Sequence, residues 1–405
     1  MHSVAEAARL VIGRVPTLDA EIVHLDEARA RVLAAEIIAR RPLPGFDNSA
    51  MDGYAARSSE LPATLPVVAE VAAGAMLVAP VPARSAVRIL TGAPLPPELD
   101  TVVIQEEAAL GSGGVALPAS APGDNIRRAG EDIAVGAKVI PRGARLNAWH
   151  LGVLAALGVH QVTVARAPRV ALIATGDELV DVASVPRHGQ LVDSSAHALA
   201  GLVAAAGGIA TYLGIARDST QEIADRLAAA RDFDMIITTG GVSVGERDHV
   251  REAFDAAGIA LQLYKVAMKP GKPFSFGLRG STPVFGLPGN PVSTAVAFEL
   301  FVRPALLAMQ GASELERPRA SVELMYGYRK AAGRAHYLRA HVSRVPDRGP
   351  ASPHHRDYLV AQVHPKQGSA MLSPLVTCNA LVEIPAEITD VPAGGFTHAL
   401  LLETV

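Results

Sequence analysis

Between Pro168 and about Gly311, short apolar runs alternate with amphipathic ones, and this alternation restricts the fold more than any other feature of the chain. RVALIA, TYLGIA, DMIITT and ALQLYKVA read as strands, while a segment from about Ser195, TQEIADRLAAA and REAFDAAG read as helices. Strands separated by helices predict a mostly parallel sheet in a three-layer α/β domain. A longer helix, PVSTAVAFELFVRPALLAM, closes the segment. Pro291 stands early in it, where a missing N–H costs nothing, and Pro304 predicts a kink. The uncharged stretch from Ala198 to Ala216 approaches a membrane span in length, but Gly207 and Gly208 split it into a helix and a strand.

The flanks have other periods. MHSVAEAARLVIGRV reads as an amphipathic helix rather than an export signal. Asp26 predicts the N-cap of a second helix carrying Ala28, Val32, Ala35 and Ile38 and ending near Arg40. From Arg41 to about Pro141 the runs shorten to LPVVAEV and DTVVIQEE between prolines and glycines, a β-rich insert. Asn147 then caps the helix AWHLGVLAAL, Gly158 ends it, and the strand HQVTVA follows. One small α/β domain interrupted by the insert accounts for this order. Beyond Glu314, SVELMYGY, HYLRAHVSR, YLVAQVHP and ALVEIPAE predict a small antiparallel β-domain. The expected division is 1–40 with 141–166, 41–140, 167–312 and 313–405.

A length of 405 residues, with 49 % hydrophobic and 19 % charged side chains, fits several folded domains. The formal charge of -3 comes without a long basic block, which argues against nucleic acid and anionic membrane as partners. A single cysteine, Cys378, forms no intramolecular disulfide, consistent with a reducing cytoplasm.

Several strand ends carry chemistry. In MIITTGGVSVGERDH, Gly240 and Gly241 follow a strand at the carboxyl edge, where α/β sheets bind ligands; the pair is either an anion-facing turn or simply a tight one. Asp248 follows. ATGDEL brings Asp177 and Glu178 to the same edge, Asp177 being otherwise a helix cap. Asp218 in IARDS is a third acid at a strand end. YKVAMKPGKPFSFG clusters Lys265, Lys269 and Lys272 around a Pro-Gly turn, suited to phosphate or an oxyanion. In FGLPGNPVS, Gly289 and Asn290 sit at a helix N-terminus. Two carboxylates about 4 Å apart repel by roughly 4 kcal/mol at an effective dielectric near 20, and an anionic ligand would add to that. A hard divalent cation removes the conflict, because Mg²⁺ takes carboxylate oxygens and bridges phosphates. In the insert, PLPGFDNSAMDGYA (Asp47, Asn48, Ser49, Asp52), RILTGAPLP (Thr91) and NIRRAGEDI (Arg127, Arg128, Glu131, Asp132) read by themselves as polar turns.

Taken in order, PLPGFDNSAMDGYA, ILTGAPLP, RRAGEDI, ATGDEL, TTGGVSVGERD, KPGKPFSFG and FGLPGNPVS resemble the signatures of the molybdopterin molybdenumtransferases, whose relatives include the E domain of gephyrin. The resemblance runs from about Arg41 to Pro304 and continues more weakly through QGSAMLSPL at Gln367 to Leu375. It implies an elongated four-domain homodimer, with a C-terminal β-barrel-like domain, whose site is shared between the α/β domain of one subunit and the insert of the other. It implies a cytoplasmic transferase that inserts molybdate into adenylylated molybdopterin with Mg²⁺ and releases AMP, in transient contact with a molybdopterin adenylyltransferase. By similarity, Asp52, Thr91, Asp132, Glu178, Asp218 and Asp248 are catalytic, with Glu178, Asp218 and Asp248 on the metal. Gly240, Gly241, Ser243, Lys265, Lys269, Lys272, Pro288 and Pro291 bind substrate. An adenylyltransferase with the same α/β module would not need the insert that carries Asp52 and Thr91, and the chain lacks room for the fused domain and long linker of a scaffold such as gephyrin.

Overall fold

A computed structural model describes residues 1–241, 249–346 and 358–403. The first helix, α1 (Val4–Ile12), carries a capping box in which Ser3 and Glu6 satisfy each other's backbone N–H groups. After strand β1 (Ala20–His24), the helix expected from Asp26 does not form: Leu25–Glu27 is a single 3₁₀ turn, and Ile37–Ile38 is a short strand. The reason lies in tertiary pairing. Ala34 N–H donates to Thr163 O, Ala165 N–H donates to Val32 O, and Ala30 takes a positive φ of 64° that no helix admits. The apolar spacing that suggested a helix instead puts Val32 and Leu33 into an extended, buried segment.

The insert holds a four-stranded sheet of β2 (Gly53–Ala56), β3 (Val67–Val71), β4 (Ala86–Ile89) and β5 (Thr101–Ile104), with β2 between β4 and β5. The chain then returns. Helix α2 (Ala148–Ala156) is capped by Asn147, and Gly158 follows it with φ of 69°, as the sequence predicts. Strand β6 (Gln161–Ala165) pairs antiparallel with β1, and Val23, Leu33, Leu154 and Val164 share one core. The small domain is therefore continuous in space and interrupted in sequence.

The central domain contains β7 (Arg169–Thr175), α3 (Ser195–Ala205), β8 (Ile209–Ala216), α4 (Thr220–Ala229), β9 (Met235–Thr239), α5 (His249–Ala256), β10 (Ala260–Tyr264), the two-residue strand β11 (Met268–Lys269), β12 (Ser275–Arg279), β13 (Thr282–Leu287) and α6 (Pro291–Met309). The sheet order is β8-β7-β9-β13-β12-β10, and only β12 runs against the rest. Alternate residues of β7 face opposite cores. Val170 and Leu172 join α3 and α6, whereas Ala171 and Ile173 join α4 and α5. A strand covered on both faces reads as a continuous apolar run, which is why RVALIA stood out. The first helix buries Ala7 and Val11 in the α3/α6 core, so it packs on the central domain although the sequence groups it with 141–166.

Helix α6 is the one element among the described residues long and apolar enough to cross a membrane, and 83 % of its most apolar window is buried in the fold. The irregularity expected at Pro304 is taken up as a π-helical turn over Phe298–Val302. The C-terminal domain, β14 (Arg319–Leu324), β15 (Ala335–Val345), β16 (Tyr358–Val363), β17 (Ala380–Ile384) and β18 (Phe396–Leu401), closes into a five-strand ring because β15 pairs with both β16 and β17. One pairing, β14 with β16, is parallel, so the barrel is not the wholly antiparallel unit the sequence suggests. Strand β11 adds to β15 from outside the ring and thereby ties the central domain to the barrel.

Candidate functional site

A cavity of about 530 Å³ opens at the carboxyl ends of β7, β9 and β13. That edge is where helices begin, so their N-termini supply partial positive charge. Both α3 and α6 start on its wall, through Ser194 and Ser195 and through Asn290 and Pro291. Gly240 and Gly241 form part of the same wall. Gly240 has φ of 87°, and a Cβ there would lie 2.2 Å from Thr175 O, so no other residue fits where the two strand ends cross. Pro288 and Pro291 line the cavity too; Pro288 O accepts the Thr294 hydroxyl, which braces the start of α6.

The acids divide into two kinds. Glu178 and Asp218 both line the cavity and are exposed, and neither carboxylate accepts a hydrogen bond among the described residues. Asp193 also lines it but is only 3 % exposed and fully engaged. Its Oδ1 accepts Ser195 N–H at 3.0 Å and Ala196 N–H at 3.2 Å, and its Oδ2 accepts the Tyr212 hydroxyl at 2.9 Å. Burial and this bond push the Tyr212 phenol well above its ordinary range. Asp193 is therefore a cap for α3 that leaves Ser194 and Ser195 on the cavity wall. Sequence reasoning passed over it, although an Asp directly before Ser-Ser at a helix start is a recognisable signal. Asp177 is no helix cap; its Oδ1 accepts Asp218 N–H at 3.1 Å and links the two acid-bearing turns.

The loop QGSAMLSPL, which the sequence offers only as a weak continuation of the resemblance and without a site residue, also reaches the cavity. Ser369 O accepts Val292 N–H at 3.1 Å and Ala370 lines the cavity, so the barrel domain closes one side of a pocket built on the sheet. Its contribution follows from tertiary contact between distant segments, which no local periodicity reports.

The lysine loop reaches the cavity through Pro273, whereas Lys265, Lys269 and Lys272 are not part of its wall. Lys265 has φ of 69° and places its ammonium 4.7 Å from the Tyr264 ring centroid. Lys269 lies on β11 in register with His336 of β15. Burial, Lys269 and two further cations hold the His336 imidazole neutral, with its pKa pushed down to about 4. Ser243 and Asp248 lie outside the described residues.

In the insert, the three polar turns converge on one another. Asp52 Oδ1 accepts both the N–H and the hydroxyl of Thr91 at 2.7 Å, bonds that hold its carboxyl below the usual range with help from Arg88. Asp47 accepts Ala129 N–H at 2.7 Å and Arg128 Nη1 at 2.6 Å, and is lowered for the same reason. Asp132 is exposed beside them, its N–H donating to Leu43 O at 3.1 Å. No insert residue lines the cavity, so a single chain does not bring Asp52, Thr91 and Asp132 to Glu178 and Asp218 there.

Among the described residues no three carboxylate, imidazole or thiolate groups cluster as a ready metal cage. Two unengaged carboxylates with oxygen donors only are nonetheless the donor set that suits Mg²⁺, which commonly takes one or two protein carboxylates and completes its shell with phosphate and water.

Three matches to known families cover the chain in sequence: the MoeA N-terminal region (domain I and II) at residues 2–158, a probable molybdopterin binding domain at 171–308, and the MoeA C-terminal region (domain IV) at 321–396. Molybdopterin molybdenumtransferase 2 of Mycobacterium tuberculosis is 35 % identical across 97 % of this chain and 98 % of its own length. The molybdopterin molybdenumtransferase of Haemophilus influenzae is 36 % identical across 92 % of each. The crystal structure of the molybdopterin biosynthesis moeA protein from Pyrococcus horikoshii matches with a TM-score of 0.84 and 30 % identity, covering 99 % of this chain and 100 % of that one. The chain therefore belongs to the MoeA family of molybdopterin molybdenumtransferases.

Proposed function

We propose that this chain inserts molybdate into adenylylated molybdopterin in a Mg²⁺-dependent reaction that releases AMP. The coarser statement follows from family membership: it is a transferase of molybdenum cofactor biosynthesis. The observation that carries the finer reading is the wall of the cavity, where two helix N-termini and the Gly240-Gly241 turn face the same space as two unengaged carboxylates. Donors of that kind suit a phosphorylated ligand, and the acids suit the cation that accompanies it.

In this reading Gly240, Gly241 and Ser243 hold the diphosphate, with Pro288 and Pro291 shaping the wall. Lys265, Lys269 and Lys272 attract the phosphates and molybdate from the loop that enters through Pro273. Glu178, Asp218 and Asp248 hold Mg²⁺. When bound, the ion would neutralise phosphate charge as the bond to AMP is cleaved by water. The two dithiolene sulfurs then take molybdenum as molybdate gives up oxygen ligands.

Asp52, Thr91 and Asp132 belong to the insert and enter the cavity from the partner subunit of a homodimer. The Thr91 bonds keep Asp52 ionised and fix its direction, which suits an orienting anion. A cytoplasmic setting fits a substrate handed over by a molybdopterin adenylyltransferase in transient contact. The test is to supply adenylylated molybdopterin, molybdate and Mg²⁺ and to follow AMP release and molybdenum incorporation. Turnover that needs all three supports the reading; release of AMP without molybdate or Mg²⁺ at the same rate sinks it.

A further inference from the structure

Both unengaged acids of the cavity sit on turns that touch each other, and one arginine adds two of the bonds between them. Gly176 N–H donates to Ala216 O at 3.2 Å, and Asp218 N–H donates to Asp177 Oδ1 at 3.1 Å. Between these bonds Arg217 Nη1 donates to Asp177 O at 2.9 Å and to Leu179 O at 3.2 Å, the two carbonyls that flank Glu178. The arginine is itself anchored, because its own N–H donates to Glu222 Oε2 at 2.9 Å in the first turn of α4. The Glu178 side chain folds back over Gly176, where a Cβ would lie 2.7 Å from its Oε2.

We propose that Arg217 is the positioning residue for the cavity's carboxylate pair: it clasps the turn on both sides of Glu178 while its neighbour Asp218 supplies the second acid. The proposal rests on the reading of Glu178 and Asp218 as Mg²⁺-holding groups. The bond to Asp177 O fixes the peptide that enters Glu178, the bond to Leu179 O fixes the peptide one residue beyond, and Glu178 O between them accepts Leu191 N–H at 2.8 Å, so the backbone that carries the Glu178 side chain is held on both sides. Because Arg217 is part of the same turn as Asp218, a shift of the guanidinium moves both acids together. Its exposed side chain donates, among the described residues, to that turn alone, so it contributes to the placement of the acids far more than to the core.

The test compares Arg217→Ala, Arg217→Lys and Glu178→Ala in the full chain, reading Mn²⁺ affinity of the substrate-free protein by electron paramagnetic resonance, molybdate-dependent turnover, and the melting midpoint. Groups that orient metal ligands are worth on the order of 10- to 100-fold in affinity or activity, and a loss in that range is expected for Arg217→Ala with the midpoint unchanged. Arg217→Lys keeps a cationic donor on the same turn and should recover most of the loss. Wild-type Mn²⁺ affinity and turnover in Arg217→Ala, beside their loss in Glu178→Ala, would overturn the role of Arg217 alone. If Glu178→Ala keeps both properties, the carboxylate reading fails and the role of Arg217 with it. Equal damage in the alanine and lysine variants with a lowered midpoint would make Arg217 a stabilising residue and reject the proposal.

Discussion

The cavity acids and the insert acids carry the same charge in opposite states of satisfaction. Asp52 and Asp47 are answered by donors from their own domain, Thr91 for one and Arg128 with Ala129 for the other. Glu178 and Asp218 have no such answer among the described residues, although a buried and rigid sheet stands directly behind them. A carboxylate already paired is fixed in direction and stays ionised; one left unpaired at a cavity wall waits for a cation or a donor from outside. The insert thus presents set pieces and the central domain presents a receptor.

The sharpest way to break this comparison is to remove an unanswered acid. Asp218→Ala should lower molybdate-dependent turnover by about 10²- to 10³-fold, the usual loss when a charge-stabilising group leaves a site. Near-normal turnover would show that the unpaired acids are merely solvated. Asp52→Ala should be comparably damaging, and mixing it with Asp218→Ala decides how the two sets meet. In a two-fold symmetric dimer with shared sites, random mixing restores about a quarter of the sites, since half the dimers are mixed and each holds one intact site. A mixture as inactive as its parents would put both acids in one subunit's site.

The receptor also depends on a turn that admits no side chain. Gly240→Ala would force a Cβ against Thr175 O at a positive φ, and about 2 to 5 kcal/mol of stability should be lost through strain and overpacking. Denaturant unfolding measures it; a loss below about 1 kcal/mol would mean that the strand ends can part without cost.

These contrasts were unevenly visible in the sequence. The central sheet was legible because β7 and β9 are buried on both faces and leave unbroken apolar runs between helices. The glycines and acids at the strand ends followed from that order. The helix expected after Asp26 was misread because the spacing of Ala28, Val32 and Ala35 is satisfied equally by an extended segment that borrows its hydrogen bonds from β6. Arg217 and Ala370 escaped notice for a related reason, since each meets the cavity through contacts with segments distant in sequence, whereas Asp193 was overlooked despite a local signal. The lysines were legible as a cluster, but the pairing of Lys269 with the barrel through β11 was not.

A smaller effect tests the insert's set pieces. The Thr91 N–H and hydroxyl both lower the Asp52 carboxyl, the N–H more. Thr91→Val removes the hydroxyl and keeps the N–H, so the carboxyl should rise part of the way back towards its ordinary value. A depressed carboxyl stays ionised until the pH falls through its folded pKa, so raising it brings protonation to a higher pH. The acid limb of kcat/KM should therefore move upward in Thr91→Val, with little change near neutrality. An unmoved acid limb would detach Asp52 ionisation from the reaction.

The smallest predicted change lies on the receptor side. Tyr212→Phe takes one of three hydrogen bonds from Asp193 while Ser195 and Ala196 N–H remain, so α3 should keep its cap. A lost bond of this kind costs about 1 kcal/mol, somewhat more because the acceptor is a buried carboxylate. The phenol pKa is raised in the folded chain, so this stabilisation is fully present below the ordinary tyrosine value of 10.0 and declines as the pH climbs above it. The stability gap between wild type and variant should accordingly be constant through neutral pH and narrow in alkali. A gap that instead widens in alkali would mean that the Tyr212 hydroxyl is not donating to Asp193, and that the capped start of α3 is held by its backbone bonds alone.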